Sequence, residues 1–345
     1  MRPDARPVVG LSVVVLGGTG FLGRHIGAAF AALGARVHPV ARSLGHAPAR
    51  DGTVIGMDLL EAEPGAIAEL VRATGADVVV NAAGQVWHGT GEQMAAGNAV
   101  LVERLVAVLA ELPGPPVRLV QLGSVHEYGA GAVDAPTGED HVPTPVTAYG
   151  RSKLLGTRAV LRAAAERGVD GVVLRLANVI GAGVPEGSLF GRVAAHLGAA
   201  ARAAARGEQV ADLRLPPLSV ARDLVDARDA AAAALAAATT PGAVVTGQVI
   251  NVGRGEAISM SGLVRRMVSL SGLAVPVVEQ PVGHGARSDV AWQRLDITSA
   301  ERLLGWRPRR DLDDSLRDLL AGVMPPGHPP LGAAATTSDR VDPSR

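Results

Sequence analysis

The sequence predicts an α/β fold: a doubly wound parallel sheet covered by helices on both faces, with a smaller α/β part on its C-terminal side. Three observations predict it. Short apolar runs alternate with longer helical stretches through the first half, a glycine-rich turn directly follows the first run, and the alternation loosens beyond residue 180. The runs LSVVVLG (11–17), ARVHPVA (35–41), TVIGMDL (53–59), DVVVNAA (77–83), VRLVQLGS (117–124) and GVVLRLANV (171–179) are too short for core helices and read as strands buried on both faces. Between most of them lie amphipathic or Ala-rich stretches of helical length, at 21–33, 92–111 and 148–167. Beyond 180 the pattern predicts a helix over 188–206, the Pro-containing stretch LRLPPLSVARD, a helix over 224–238 and a strand QVINVG (248–253). A helix near 258–270, a strand VPVVEQ and two short helices in DITSAERLLGW and DLDDSLRDLL complete it. The Ala tracts at 199–205 and 230–238 read as ordinary helix, and no internal repeat is visible. Residues 323–345 are rich in Pro, Gly, Ser and Thr without an apolar period, the composition of a disordered tail.

Composition narrows the chemistry. The 345 residues suffice for one large domain or two modest ones and for a sizeable core. Thirty-three basic residues balance 33 acidic ones without a basic block, which gives no electrostatic reason to expect nucleic acid or an anionic membrane as partner. No stretch reaches the about 18 uninterrupted apolar residues of a membrane span. The opening MRPDARPVVG lacks the apolar run of a signal peptide, so a cytoplasmic location is expected. Cysteine is absent, which excludes disulfides, thiolate metal sites and cysteine nucleophiles, and the nine His show no HxxxH spacing. No metal is expected.

Gly17-Gly18-Thr19-Gly20-Phe21-Leu22-Gly23 follows the first strand and opens a helix. Glycines at this spacing permit a tight turn and close approach of backbone N–H groups to a pyrophosphate at the helix N-terminus, the arrangement of a Rossmann-type dinucleotide site. An ordinary turn in a chain with 43 Gly is the alternative. The GK[ST] of a P-loop is missing. At the end of the second strand an acid would suit the ribose hydroxyls of NAD, whereas Val40-Ala41-Arg42-Ser43 offers a guanidinium and a hydroxyl to a 2′-phosphate. This favours NADP, with NAD as the alternative; a solvated surface Arg is the other reading of Arg42. Asp58, ending the third run, can meet an adenine amino group or cap a helix.

Tyr149-Gly150-Arg151-Ser152-Lys153 is the most informative segment. Its four-residue offset puts a phenol and an ammonium on one helix face, and the chain has one Lys and two Tyr in all. The ammonium is expected to lower the pKa of Tyr149 and fit it for proton exchange near neutral pH. Ser124 closes the fifth strand in LGSVHEYG, where a hydroxyl can face the ligand crevice of a parallel sheet or cap the next turn.

Taken together, GGTGFLG, Asp58, NAAG (81–84), Asn98, GSVHEYG, YGRSK, RLANVIG (175–181), ARDLVDARDAA, INVG (250–253) and LGWRP (304–308) resemble the extended short-chain dehydrogenase/reductases, in their sugar-nucleotide epimerase/dehydratase/reductase group. The likeness spans about residues 11–322, and all four Asn, both Tyr and the single Lys fall within its motifs. It implies a dinucleotide-binding Rossmann domain over 8–180 with 222–254 and a substrate domain over 181–221 with 255–322. Ser124, Tyr149 and Lys153 match the catalytic triad, and Asn98 matches an active-site Asn that orders a helix and a water. Gly17, Thr19, Gly20, Phe21, Leu22, Gly23, Arg42, Ser43, Asp58, Leu59, Ala82, Ala83, Tyr149 and Lys153 fall to the cofactor. Ser124, Tyr149, Asn178, Arg222 and Arg287 fall to the sugar nucleotide, although each Arg can equally be an ordinary surface residue. A homodimer through two helices per subunit is common in the family.

Departures from the family patterns narrow the reaction. The 4,6-dehydratases carry an Asp-Glu pair directly after the catalytic hydroxyl residue, where this chain has Val125 and His126, so dehydration lacks its acid and base. The 4-epimerases usually show an acid after strand two, where this chain has Ala41-Arg42. The C-terminal half looks most like nucleotide-linked 4-keto-6-deoxyhexose reductases. The resemblance therefore implies NADPH-dependent reduction of the C4 keto group of a dTDP- or GDP-linked 4-keto-6-deoxyhexose, in deoxysugar biosynthesis. An NAD-dependent UDP-hexose 4-epimerase and a catalytically silent dinucleotide sensor are the alternatives.

Overall fold

The structure is a computed structural model that describes residues 6–42, 53–85, 89–131, 135–280, 292–329 and 332. Strand β1 (Ser12–Leu16) is buried at all five positions, as a strand covered on both faces must be. Helix α1 (Phe21–Ala31), β2 (Arg36–Ala41), β3 (Ile55–Gly56), α2 (Pro64–Thr74) and β4 (Val78–Asn81) follow. The run predicted as one helix over 92–111 is α3 (Gly91–Ala95) and α4 (Leu101–Glu111), joined by a π-helical turn at Ala96–Val100. Next come β5 (Arg118–Ser124), a 3-10 turn at Val125–Glu127 and the twenty-residue α5 (Ala148–Arg167), which Thr147 caps at Gly150 N.

The predicted strand 171–179 is divided. Strand β6 (Gly171–Leu176) stays in the main sheet, Ala177 N–H donates to Val252 O, and β7 (Asn178–Ile180) leaves to pair elsewhere. Then follow α6 (Leu189–Ala205), β8 (Leu213–Leu215), β9 (Ala221–Arg222) and β10 (Leu224–Asp226). The helix expected over 224–238 thus opens as a strand; Asp226 caps Arg228 N and starts α7 (Ala227–Thr239) three residues late. The remainder is α8 (Gly242–Val245), β11 (Val249–Val252), β12 (Ile258–Ser259), α9 (Met260–Ser271), β13 (Val277–Glu279), a π-helical turn at Ala300–Leu304 and α10 (Leu312–Ala321).

Seven parallel strands form the central sheet in the order β3-β2-β1-β4-β5-β6-β11. The order reverses between β1 and β4, where the connecting helices pass to opposite faces and open a crevice beyond the strand C-termini. One face is covered by α1, α7 and the 300–304 turn through Ile26, Phe30, Leu304, Trp306 and the alanines of α7. Those alanines let α7 lie close on α1, and Trp306 of LGWRP fixes the C-terminal segment to it by donating to Asp229 O at 3.0 Å. The other face is covered by α2, α4 and α5 through Ile67, Leu70, Leu105, Val160 and their neighbours. By length and composition the run Gly91–Glu111 could cross a membrane; here it is a core helix packed between α2 and α5.

A third core gathers Phe190, Leu197, Leu213, Met267 and Leu316 from α6, β8, α9 and α10 beyond the end of the sheet. Part of the segment expected to be disordered from 323 joins it. Val323 and Met324 pack on this core, and His328 Nε2 lies 2.9 Å from Ser271 O. Apolar Val323 and Met324 outweigh the local Pro/Gly composition there.

Candidate active site

A groove of about 270 Å³ opens at the reversal point. Of the residues assigned to the cofactor, Gly17, Thr19, Gly20, Arg42, Asp58, Leu59, Ala82 and Ala83 line it, with Gly84 of NAAG and with Met57, Leu60, Gln85, Gly97 and Leu101, which the assignment did not include. Gly17 has φ +72°, and a Cβ there would lie 2.9 Å from Ala83 Cα. A Cβ at Gly23 would lie 2.1 Å from Gly17 O, so this glycine lets α1 pack against the turn. Gly20 caps α1 without any side-chain bond, and no acid stands in the first turn. An uncapped helix N-terminus behind a glycine turn fits a pyrophosphate. Phe21 and Leu22 belong to that first turn; Phe21 sits edge-on to His25 rather than lining the groove. Ser43 lies outside the described residues.

The end of the groove beside β3 is braced from behind. Asp58 stands two residues past β3, and its Oδ1 accepts Leu60 N–H at 3.0 Å across a turn; it caps no helix, since α2 has Glu63 at its N-cap. Arg104 of α4 donates from Nη1 to the carbonyls of Leu59, Leu60 and Ala62 at 3.3, 3.1 and 2.7 Å.

The predicted triad converges beyond the end of β5. Ser124 is the last residue of that strand; its Oγ accepts His126 N–H at 3.3 Å and also hydrogen-bonds Tyr149. Ser124 thus takes the capping role, with its hydroxyl also beside the Tyr149 phenol. Gly150 allows α5 to reach the turn, since a Cβ there would lie 2.2 Å from His126 O. The Lys153 ammonium is buried and donates to Leu122 O at 2.5 Å.

The charge states correct one expectation. The ammonium does not bring Tyr149 down: burial pushes the phenol up to about 12, the charge of Glu127 adds to this, and the Ser124 hydrogen bond only partly offsets it. Burial brings Lys153 down to about 8, against the opposing pull of Glu127. Tyr149 is therefore a neutral phenol across the ordinary pH range, the form that donates a proton.

Around this set runs a buried polar network. Asn98 sits on the π-helical turn, where its Oδ1 accepts Gln85 N–H and its Nδ2 donates to Gln85 O and Ser152 Oγ at 3.2, 2.9 and 3.1 Å. It ties the end of the β4 loop to α5, and π-turns gather at such sites. Glu127 Oε2 accepts from Arg175 Nε and Thr157 Oγ1, each at 2.8 Å, while its Oε1 accepts Ser124 N–H at 2.8 Å. Glu127 lies in the motif GSVHEYG and Arg175 opens RLANVIG, but neither was singled out, because their pairing depends on β5 and β6 lying side by side.

Of the residues assigned to the sugar nucleotide, Asn178 is half-buried in β7 and donates to Asp223 O at 3.1 Å. Arg222 is buried in β9, with Nη1 on Ala221 O at 2.9 Å. Arg287 lies outside the described residues. Among the described residues no three His, Asp or Glu gather as a metal site would require.

The profile of the NAD dependent epimerase/dehydratase family matches residues 13–253. A relative from Kitasatospora kifunensis, dTDP-6-deoxy-L-talose 4-dehydrogenase (NAD(P)(+)), is 43% identical over 307 residues, covering 89% of this chain and 94% of its own. The structure of RMD from Pseudomonas aeruginosa complexed with NADPH superposes with a TM-score of 0.73 at 23% identity, covering 90% of this chain and 99% of that one. UDP-glucuronic acid 4-epimerase from Bacillus cereus, in complex with UDP-glucuronic acid and NAD, does so at 0.74 and 20% identity, covering 90% and 98%.

Proposed function

The chain belongs to the NAD dependent epimerase/dehydratase family of sugar-nucleotide oxidoreductases, and from that premise we propose that it is an NADPH-dependent 4-ketoreductase acting on a dTDP- or GDP-linked 4-keto-6-deoxyhexose. The observation that carries this reading is the neutral Tyr149 phenol, bonded to Ser124 at the end of β5 and one helical turn from Lys153, in a fold whose glycine turn and groove fit a dinucleotide. A reductase needs a proton donor where a dehydratase needs two carboxyl groups. Val125 is buried and His126 holds no carboxyl group, so the dehydratase acid/base pair has no counterpart. The Kitasatospora relative supports the same carbon and the dTDP carrier, because C4 oxidation and C4 ketone reduction are one reaction run in opposite directions.

In this reading the groove binds the cofactor with its pyrophosphate on the N-terminus of α1 and its 2′-phosphate near Arg42. When bound, the reduced nicotinamide supplies the hydride that adds to C4. Tyr149 gives its proton to the C4 oxygen, so ketone, hydride and proton balance as an alcohol. Ser124 donates a hydrogen bond to that oxygen and stabilises the negative charge developing on it. Lys153 contacts the nicotinamide ribose and steadies the phenolate left on Tyr149. Asn178 and Arg222 are assigned to the substrate's diphosphate and sugar, as is Arg287 by its place in the sequence, in a substrate part formed by 181–221 with 255–322. The reading also carries a cytoplasmic homodimer.

Absorbance at the reduced-nicotinamide band tests it, with NADPH and NADH supplied side by side and a dTDP-4-keto-6-deoxyhexose as substrate. Stoichiometric oxidation, faster with NADPH, is the expected result. Interconversion of a UDP-hexose without net cofactor consumption would replace the reading with the 4-epimerase. Cofactor binding without turnover on either would leave the sensor.

A further inference from the structure

The mechanism above leaves one buried charge pair unused. Glu127 is fully buried and Arg175 nearly so, with Nε and Oε2 2.8 Å apart. Taking two charges out of water costs about as much as their attraction returns, so stability is a poor reason for such a pair.

Its contacts suggest a better one. Glu127 Oε1 holds the N–H of Ser124, the last residue of β5, and Oε2 holds Thr157 Oγ1, one turn beyond Lys153 on α5. A single carboxylate thus joins the strand that carries Ser124 to the helix that carries Tyr149 and Lys153. The pair is itself fixed from behind: the Arg175 guanidinium lies 4.5 Å from the Tyr128 ring centroid, and Tyr128 Oη donates to Asn251 Oδ1 at 2.8 Å.

We propose that Glu127 is a positioning residue for the Ser124–Tyr149–Lys153 set: its carboxylate fixes the Ser124 backbone, ties α5 to it through Thr157 and sets a buried negative charge beside the set. The charged and titratable groups around it are Arg175 from β6, Lys153 and Tyr149 from α5, and His126 and Tyr128 from its own turn. Glu139 stands behind Tyr128, where its Oε1 accepts Asn251 N–H. Glu127 acts in one direction on both members of the set, opposing the fall of Lys153 and adding to the rise of Tyr149. Only the purpose of this arrangement rests on the ketoreductase reading; the arrangement can be tested without turnover.

Lys153 is the sole lysine of the chain, so [13Cε]lysine labelling gives one NMR signal that titrates with its ammonium. The midpoint in the parent protein is expected at about 8. In Glu127→Gln it should fall by about one unit, the scale of one nearby charge in the interior. In Thr157→Val, which loses a hydrogen bond and keeps the charge, it should stay. The alkaline limb of kcat should fall in step with the NMR midpoint, with KM for the sugar nucleotide unchanged. A midpoint at or above the parent's in Glu127→Gln, or an equal fall in Thr157→Val, would overturn the proposal. Where Glu127→Gln does not fold, Glu127→Gln with Arg175→Met removes both charges and keeps an acceptor for Ser124 N–H; the same downward shift is then required, and its absence overturns the proposal. A shifted midpoint in a chain that reduces no 4-keto sugar nucleotide would sink the ketoreductase reading and leave the positioning role standing.

Discussion

The two ends of the central sheet hold buried polar groups to opposite purposes. At the N-terminal end of β5, Arg118 has no exposed surface; it forms a contact ion pair with Asp170 at 2.8 Å and donates to the carbonyls of Ala237 and Thr240 at 2.6 and 3.0 Å. At the start of β1, Ser12 N–H donates to Asp77 and Ser12 Oγ to Thr74 O. These groups face one another and sew helix ends to strand starts. At the C-terminal end, six residues along the same β5, Ser124 stands with Tyr149 and Lys153, and these last two carry strongly displaced pKa values. Similar side chains pair off at one end and gather as the candidate site at the other, the end of a parallel sheet where ligand crevices open.

The largest expected effect breaks the chemical end alone. Tyr149→Phe should lower kcat by about 10²- to 10⁴-fold, the usual worth of a positioned general acid. Cofactor binding, followed by fluorescence of the bound reduced nicotinamide, and the melting temperature should stay near the parent values. A Phe variant that turns over normally would move the proton donor elsewhere.

Arg118→Met makes the converse test. It strands the Asp170 carboxylate in the interior and should cost about 3–5 kcal/mol in urea unfolding, the penalty for a buried charge that loses its partner. The kcat per folded molecule and its pH profile should not move. A shifted profile would show that the two ends of β5 communicate and that the division drawn here is too sharp.

How far the sequence discloses each end follows from the same division. The groove is legible because its requirements are local: Gly17 must take a positive φ and Gly23 must lack a Cβ, and both show as spacing in the chain. Tyr149 and Lys153 are legible because a four-residue offset on a helix guarantees a shared face. Their ionisation was misread, since a spacing rule carries the charge of Lys153 but not the burial that outweighs it. Glu127, Arg175 and Thr157 meet across 48 and 30 residues of sequence, a convergence that only the sheet order creates. The break between β6 and β7 was equally hidden, because no Gly or Pro interrupts LRLANV where the partner strand changes from β11 to β10.

Proton linkage sharpens the comparison at intermediate scale. Lys153 titrates at about 8 when folded against 10.5 when free, so between those values the unfolded chain binds more protons and stability rises with pH. Tyr149 and Tyr128 titrate at about 12 when folded against 10.0 when free, so above 10 the unfolded chain releases protons first and stability falls. Melting temperature followed by circular dichroism should therefore climb from about pH 8 to 10 and decline beyond. Lys153→Met should flatten the climb and leave the decline, whereas a climb that survives the substitution would assign it to another group.

The smallest expected effect lies at the outer margin of the same groove. Arg42 follows β2, is exposed, and lines the pocket beside Asp58 and Leu59. An exposed guanidinium contributes through charge-assisted hydrogen bonds to a phosphate, screened by water, so its loss should be modest. Arg42→Ala should raise KM for NADPH roughly tenfold, the factor that about 1.4 kcal/mol produces, and leave KM for NADH unchanged. The effect should shrink as salt rises, because screening weakens the parent's contact and not the variant's. Equal KM values for the parent and variant with both cofactors would make Arg42 a surface charge. The groove would then take its cofactor through the glycine turn and the N-terminus of α1 alone, which bind the pyrophosphate common to both.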